Sequence, residues 1–323
     1  MVKSIATKAF AKIILSGEHA VVYNHSALAL SVDRYVTTNL ISLPSDKNYT
    51  FISEKLGVAE TISKQHLHAI GHYKILQKPI QLLQYTLIKL IEYFDLKITS
   101  GLKINTTANI PISCGLGSSS ALIISLMHAV NHFFALNFKI ADYLKVAMDI
   151  ENIQHGRSSG LDLYLAMYGG GVKFENGNVM SRDIANMSIY FVNSGKSVSS
   201  TMECVNSVAK YFINSSLAND FEKITNALDN SLQQRDLIAI KEIIRINHKL
   251  LNYIGVVPKK VQHFINDIEY RNGAAKICGA GAMNGDAGGI IMVIGDRDID
   301  DLLVKYGYEL LPLKGNSYGV QVI

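Results

Sequence analysis

Apolar and polar positions alternate along the opening of the chain. "AKIILSG" is an apolar run stopped by Gly17, and "SALALSVDRYVTTNLISL" alternates with many β-branched and aromatic residues, so both are predicted strands. The stretch 44–71 is polar and reads as irregular. Over 81–94, "QLLQYTLIKLIEYF" places apolar residues at helical spacing. "LKINTTANIPIS" alternates like a strand, and "CGLGSSSALIISL" then passes through a glycine turn into a helix predicted over about 118–134. A further helix is predicted over about 140–153. "YGGGVKFENGNVMS" reads as a hairpin with Asn176-Gly177 at its turn, and "MSIYFVNSG" as a strand. Helical patterns fill most of 198–270, and the last fifty residues read strand, helix, strand, strand. Within them "GGIIMVIG" is a buried type of strand. "DRDIDDLLVKYG" is an amphipathic helix with an acidic first turn, as the helix dipole favours.

The pattern is therefore α+β, mixed in the first half and mostly helical with a small sheet in the second. A length of 323 residues exceeds what one core usually organises. The expectation is two domains, 1–185 and 186–323, with no internal repeat. A hydrophobic content of 48% with 18% charged residues fits a globular chain. The net charge of +4 is spread without basic runs, which argues against a nucleic-acid partner. No apolar stretch reaches the roughly 18 residues of a membrane span, so no membrane association is expected. Cys114, Cys204 and Cys278 are far apart and form no CxxC or zinc spacing, which points to free thiols and a cytoplasmic location.

The order strand, glycine turn, serine cluster, helix is suited to a phosphate. The first N–H groups of a helix have no intrahelical partner and the dipole is positive there. Glycines let backbone approach a ligand, and serines add hydroxyl donors, one of which can ligate Mg2+. The turn is not the common P-loop, because GK[ST] is missing, and the third glycine of a dinucleotide fingerprint is replaced by Ser120. A serine N-cap after a glycine turn is the alternative reading. Lys12 sits within the apolar "AFAKIIL" and must leave the core or pair with an anion. Asp162 follows Gly160-Leu161 at the start of an apolar helical run, where capping is the alternative to chemistry.

Four segments together resemble the GHMP kinases, a family that includes galactokinase, homoserine kinase, mevalonate kinase and phosphomevalonate kinase. They are "AKIILSGEHAVVYN" (11–24), Pro111 with "CGLGSSSA", "ENIQHGRSSGLDLYLAMYGG" (151–170) and "KICGAGAMNGDAGG" (276–289). The resemblance implies a two-domain fold. Its N-terminal domain is mixed α/β and ribosomal-protein-S5-like, and its C-terminal domain is helix-rich, ferredoxin-like α+β. It also implies ATP and Mg2+ as cofactors, and a homodimer by analogy. "GEHAVVY" and "HGRSSGLD" are most similar to the mevalonate-kinase branch, which implies mevalonate or a similar small alcohol as acceptor.

The family motifs carry roles over residue by residue. Asp162 and Lys12 are the implied catalytic pair, the aspartate taking the hydroxyl proton and the lysine lowering the hydroxyl's pKa. Gly115, Leu116, Gly117, Ser118, Ser119 and Ser120, with Gly279, Ala280 and Gly281, are implied to hold the ATP phosphates. Ser119 and Glu151 are the implied Mg2+ ligands. Glu18 and His19 are implied to meet the substrate, and Arg157 its carboxylate. Four departures stand out: Ala9-Phe10-Ala11 before the lysine, Asn24 for glycine, Ser158 where proline is common, and the last motif. There Met283, Asn284 and Asp286 stand where the family places glycines close to substrate and phosphate. Cys114 and Cys278 adjoin the two glycine motifs, so thiol reagents are expected to inhibit and MgATP to protect. Three alternatives are another kinase of the family acting on phosphomevalonate or a sugar, a non-catalytic metabolite-binding homologue, and a dinucleotide-binding enzyme.

Overall fold

A computed structural model of the chain describes residues 2–112, 114–184, 189–213, 216–295 and 298–323. The first part contains β1 (Ser4–Ser16), β2 (Ala27–Leu43), β3 (Tyr49–Ser53), β4 (Val58–Ile62), α1 (Lys64–Ile70), α2 (Ile80–Tyr93), β5 (Gly101–Ala108), α3 (Ser118–Phe134), α4 (Ile140–His155), α5 (Leu161–Tyr168), β6 (Gly171–Glu175) and β7 (Asn178–Arg182). The second contains β8 (Ile189–Asn193), α6 (Thr201–Val208), α7 (Leu217–Gln234), α8 (Leu237–Tyr253), α9 (Lys259–Tyr270), β9 (Ala274–Cys278), β10 (Ile290–Ile294), α10 (Asp300–Tyr306), β11 (Glu309–Leu311) and β12 (Gln321–Val322).

One sheet runs in the order β12-β1-β2-β5-β3-β4, with β6 also on β2 and β7 on β6. Its strands pair antiparallel except β3 with β5. The other sheet, β11-β8-β10-β9, is antiparallel throughout. From Ala9 to Ser16 every residue of β1 is buried, because α3, α5, α7 and β9 all pack against this strand. That double cover explains why the sequence reads there as one apolar run rather than an alternation. A bulge between Phe10 and Ala11 resets the pairing, so that Lys12 stands opposite Ser31 of β2.

Most predicted elements are present. α3 spans the expected residues, α4 runs slightly past its expected end, and Asn176 and Gly177 both take positive φ in the β6–β7 turn, as the hairpin requires. The stretch 44–71 is not irregular: it holds the β3–β4 hairpin and α1. Only Tyr49, Phe51 and Ser53 of β3 face inward, and its partner β5 lies beyond two helices in the chain, so the local pattern is too short and the pairing too distant to read. The boundary placed near 185 falls on 185–188, outside the described residues. The tail returns to the first sheet: Gly315 bridges to Val32, and β12 pairs with β1 through Thr7–Val322 and Lys8–Gln321. Among the described residues no helix is long and apolar enough to cross a membrane.

Candidate active site

A cleft of about 740 Å³ gathers the four motifs. Its floor is β1. The Lys12 backbone N–H donates to the Leu116 carbonyl at 3.0 Å, which holds the glycine turn against the strand. The Lys12 ammonium donates to the Gly115 carbonyl at 3.1 Å and lies 3.0 Å from Asp162 Oδ2. The lysine is 5% exposed, so this carboxylate is the anion that its burial demands. Asp162 does not cap its helix. Gly160 is the N-cap of α5, and the aspartate sits in the first turn with its side chain partly open to the cleft.

The serine N-cap alternative is likewise not what forms. Gly117, at φ +71°, is the N-cap of α3, and no side chain caps the helix. The first-turn N–H groups of Ser118, Ser119 and Ser120 therefore face the cleft as donors for an anion. A Cβ on Gly117 would lie 3.0 Å from the Lys12 side chain and 3.3 Å from Asp162 Oδ2, so close approach as well as positive φ requires glycine.

Glu151 is 3% exposed and accepts hydrogen bonds from Ser120 on one oxygen and from Ser158 on the other. Burial raises its pKa to about 7, and the charge of Asp162 pushes the same way. Two carboxylates thus share a buried corner with one lysine, a local excess of negative charge. An oxygen-only set of this kind, with the half-buried Ser119 on the same wall, fits Mg2+, which takes one or two carboxylates and completes its shell with phosphates and water. Among the described residues no cluster of three or more His, Cys, Asp and Glu is arranged for a metal, so the phosphates would supply the rest. The Ser120 hydroxyl is committed to Glu151, which leaves its backbone N–H for a phosphate.

The turn carrying Glu18 and His19 is tied to the second glycine motif. The Glu18 side chain is fully enclosed and ion-paired with Lys276 of β9, itself fully enclosed and also donating to the Ile277 carbonyl at 2.8 Å. His19 takes φ +61°, and its Nε2 lies 3.2 Å from the Ala280 carbonyl. Burial lowers its pKa to about 4, so the ring is neutral, Nε2–H is the donor, and Nδ1 is left an acceptor without a protein partner. The one N–H of the histidine implied to meet the substrate is thus already donating to the protein. Arg157 is exposed on the cleft wall with its guanidinium over the Tyr23 ring, 5.4 Å from the centroid.

The two glycine motifs meet. A Cβ on Gly115 would lie 3.1 Å from the Cys278 carbonyl, and one on Gly279 3.4 Å from the Gly115 carbonyl. Gly279, Ala280 and Gly281 line the cleft, and the wall resumes at Gly288 and Gly289. Met283, Asn284 and Asp286 are exposed and off the wall. Ala282 N–H bonds to the Val256 carbonyl at 2.9 Å and Met283 N–H to Ser199 Oγ at 3.1 Å, so the extra residues loop outward and leave the cleft surface glycine-rich.

Cys114 and Cys278 border the cleft as expected, but both are buried, and burial raises their pKa, that of Cys278 to about 11. Such thiols are inert. In place of rapid, ATP-protected inhibition, an aromatic disulfide reagent is expected to label none of the three cysteines quickly in the folded protein and all three after denaturation. Counting released thiolate with and without denaturant checks this. Sequence reasoning missed Lys55, Lys78 and Lys196, which also line the cleft; scattered lysines carry no local signal. An apolar arm formed by Leu56, Leu76, Pro79 and Leu82 was missed for the same reason.

Comparison with known proteins points one way. Residues 81–170 match the family described as GHMP kinases N terminal domain. The mevalonate kinase of Methanocaldococcus jannaschii is 26% identical over 91% of this chain and 93% of its own length. That of Thermococcus onnurineus is 28% identical over 86% of each. Among solved structures, the Methanococcus jannaschii mevalonate kinase superposes with a TM-score of 0.78 at 24% identity, covering 98% of both chains. Lactococcus lactis galactokinase, solved with galactose, gives the same TM-score at 15% identity, covering 99% of this chain and 95% of its own. The fold is therefore common to kinases of different acceptors, whereas the sequence likeness is to one branch. Residues 81–170 thus resemble the N-terminal domain of the GHMP kinases, and the likeness along most of the chain supports a phosphotransferase with an alcohol acceptor that is mevalonate kinase-like in sequence.

Proposed function

We propose that the protein is a mevalonate kinase that transfers the γ-phosphoryl group of ATP to the 5-hydroxyl of mevalonate. The observation that carries this reading is the Lys12–Asp162 pair at the foot of the uncapped α3, which puts a proton acceptor, a cation and a row of N–H donors on one cleft wall. The full-length likeness to two archaeal mevalonate kinases favours mevalonate as the acceptor.

Phosphoryl transfer asks the protein chiefly for positioning and for positive charge around the transferred group. In this reading Asp162 accepts the proton of the attacking hydroxyl while Lys12 favours the developing alkoxide. The hydroxyl oxygen bonds to Pγ as the bond from Pγ to the bridging oxygen breaks, ADP leaves, and no phosphoenzyme forms. The N–H groups of the first turn of α3 and the backbone of 115–117 and 279–281 hold the phosphates. When bound, Mg2+ would neutralise phosphate charge, with Glu151 and Ser119 as its protein ligands. Arg157 faces the carboxylate of mevalonate, and the apolar arm takes the adenine. His19 and the Glu18–Lys276 pair shape the substrate end without donating to it.

Incubation with MgATP and, in parallel, mevalonate, phosphomevalonate and a panel of sugars, with products identified by mass, tests the reading. Phosphorylation of mevalonate alone is expected. Turnover only on another alcohol overturns the acceptor and keeps the kinase. No turnover on any, with ATP still bound, favours a metabolite-binding homologue.

A further inference from the structure

We propose that Ser158 is a positioning residue for the divalent ion that accompanies ATP, an inference that rests on reading Glu151 as a metal ligand. Ser158 lies in the short loop that joins α4, which carries Glu151, to α5, which carries Asp162. Three hydrogen bonds converge on it. Its N–H donates to Asn152 Oδ1 at 2.7 Å, its hydroxyl donates to Glu151 Oε2, and Oγ accepts from the Gly160 N–H at 3.0 Å. Gly160 is the N-cap of α5, two residues before Asp162. One side chain therefore joins the candidate metal carboxylate to the start of the helix that carries the candidate base.

The Glu151 carboxylate is held from two directions, by Ser120 on Oε1 and by Ser158 on Oε2. Each carboxylate oxygen has two lone pairs, so one donated bond per oxygen fixes the plane of the group and leaves a lone pair free for a cation. Hydrogen-bonded outer partners orient metal-binding carboxylates in this way, and their loss weakens metal binding by about 10–100-fold. Without the Ser158 hydroxyl, Oε2 would lose its donor and the carboxylate would be held from one side only.

The residue type matters. Proline, common at this place in related motifs, has neither an N–H nor a hydroxyl, and could make neither donated bond. This chain therefore fixes the loop and the carboxylate by hydrogen bonds where a ring would only restrict the backbone.

The test is Mn2+ binding, followed by the electron paramagnetic resonance of free Mn2+ during titration of the full chain with a non-hydrolysable ATP analogue. Ser158→Ala is expected to raise the Mn2+ dissociation constant about 10–100-fold. Ser158→Thr, which keeps the hydroxyl, is expected to retain wild-type affinity. Glu151→Gln is the reference for loss of the ligand, and thermal melts of each variant report folding. Unchanged affinity in Ser158→Ala, with Glu151→Gln weakened, overturns this inference alone. A folded Ser158→Thr protein that binds Mn2+ poorly also overturns it. Binding that Glu151→Gln does not weaken, or no binding by the unsubstituted chain, overturns the metal-ligand reading and this inference with it.

Discussion

Asp162→Asn is expected to lower kcat by about 10²–10⁴-fold, the usual contribution of a positioned proton acceptor, while ATP binds as tightly as before. The asparagine keeps the shape of the side chain and can still accept from Lys12, so the wall of the cleft should stand. What it loses, on the proposed mechanism, is the capacity to take the hydroxyl proton as the bond to phosphorus forms. That interaction exists only on the way to the transition state, so its loss should fall on kcat and kcat/KM together. Steady-state kinetics with saturating ATP, and nucleotide affinity measured separately, check both halves. Near-normal turnover in the variant would remove Asp162 from the chemistry and leave it a structural counter-ion of Lys12.

Lys276→Met should cost about 3–5 kcal/mol of unfolding free energy, because it strands the buried Glu18 carboxylate without its cation. Both side chains are fully enclosed, and Glu18 Oε2 already has no protein donor. Adding Glu18→Gln removes the stranded charge and should recover much of the loss. Urea denaturation of the two single variants and the double variant measures this. A Lys276→Met protein as stable as the parent would mean that the pair is not what fastens the 17–19 turn to the second glycine motif.

The parts of the site that were legible in the sequence are those whose geometry is local. The turn 115–117 and the helix after it are contiguous, and the glycines and serines there announce an open helix start. Asp162 was legible for the same reason, as an acid in the first turn of an apolar helix. Lys12 was legible as an anomaly, a charge in an apolar strand that had to find an anion. The Glu18–Lys276 pair was not, because the partners lie 258 positions apart and nothing near either residue names the other. The β3–β4 hairpin was lost in the same way, since its parallel partner β5 comes only after two helices. The outward loop at 282–287 illustrates a third case. Its residues looked like a change of the phosphate site, and only the packing of Ala282 and Met283 against neighbouring segments shows that the chain steps out of the cleft and back.

The return of the tail to the first sheet bears on how the molecule is assembled in time. β1, the strand that carries Lys12, has β2 beside it almost as soon as it is made, but its other edge receives β12 only after about 300 further residues have been made. During vectorial synthesis that edge is open while the intervening helices form, and an open strand edge is a template for pairing with other chains. Contacts of such long sequence separation are also slow to close. The strand at the floor of the cleft is therefore made long before its second edge is covered, and that edge stays exposed until β12 docks.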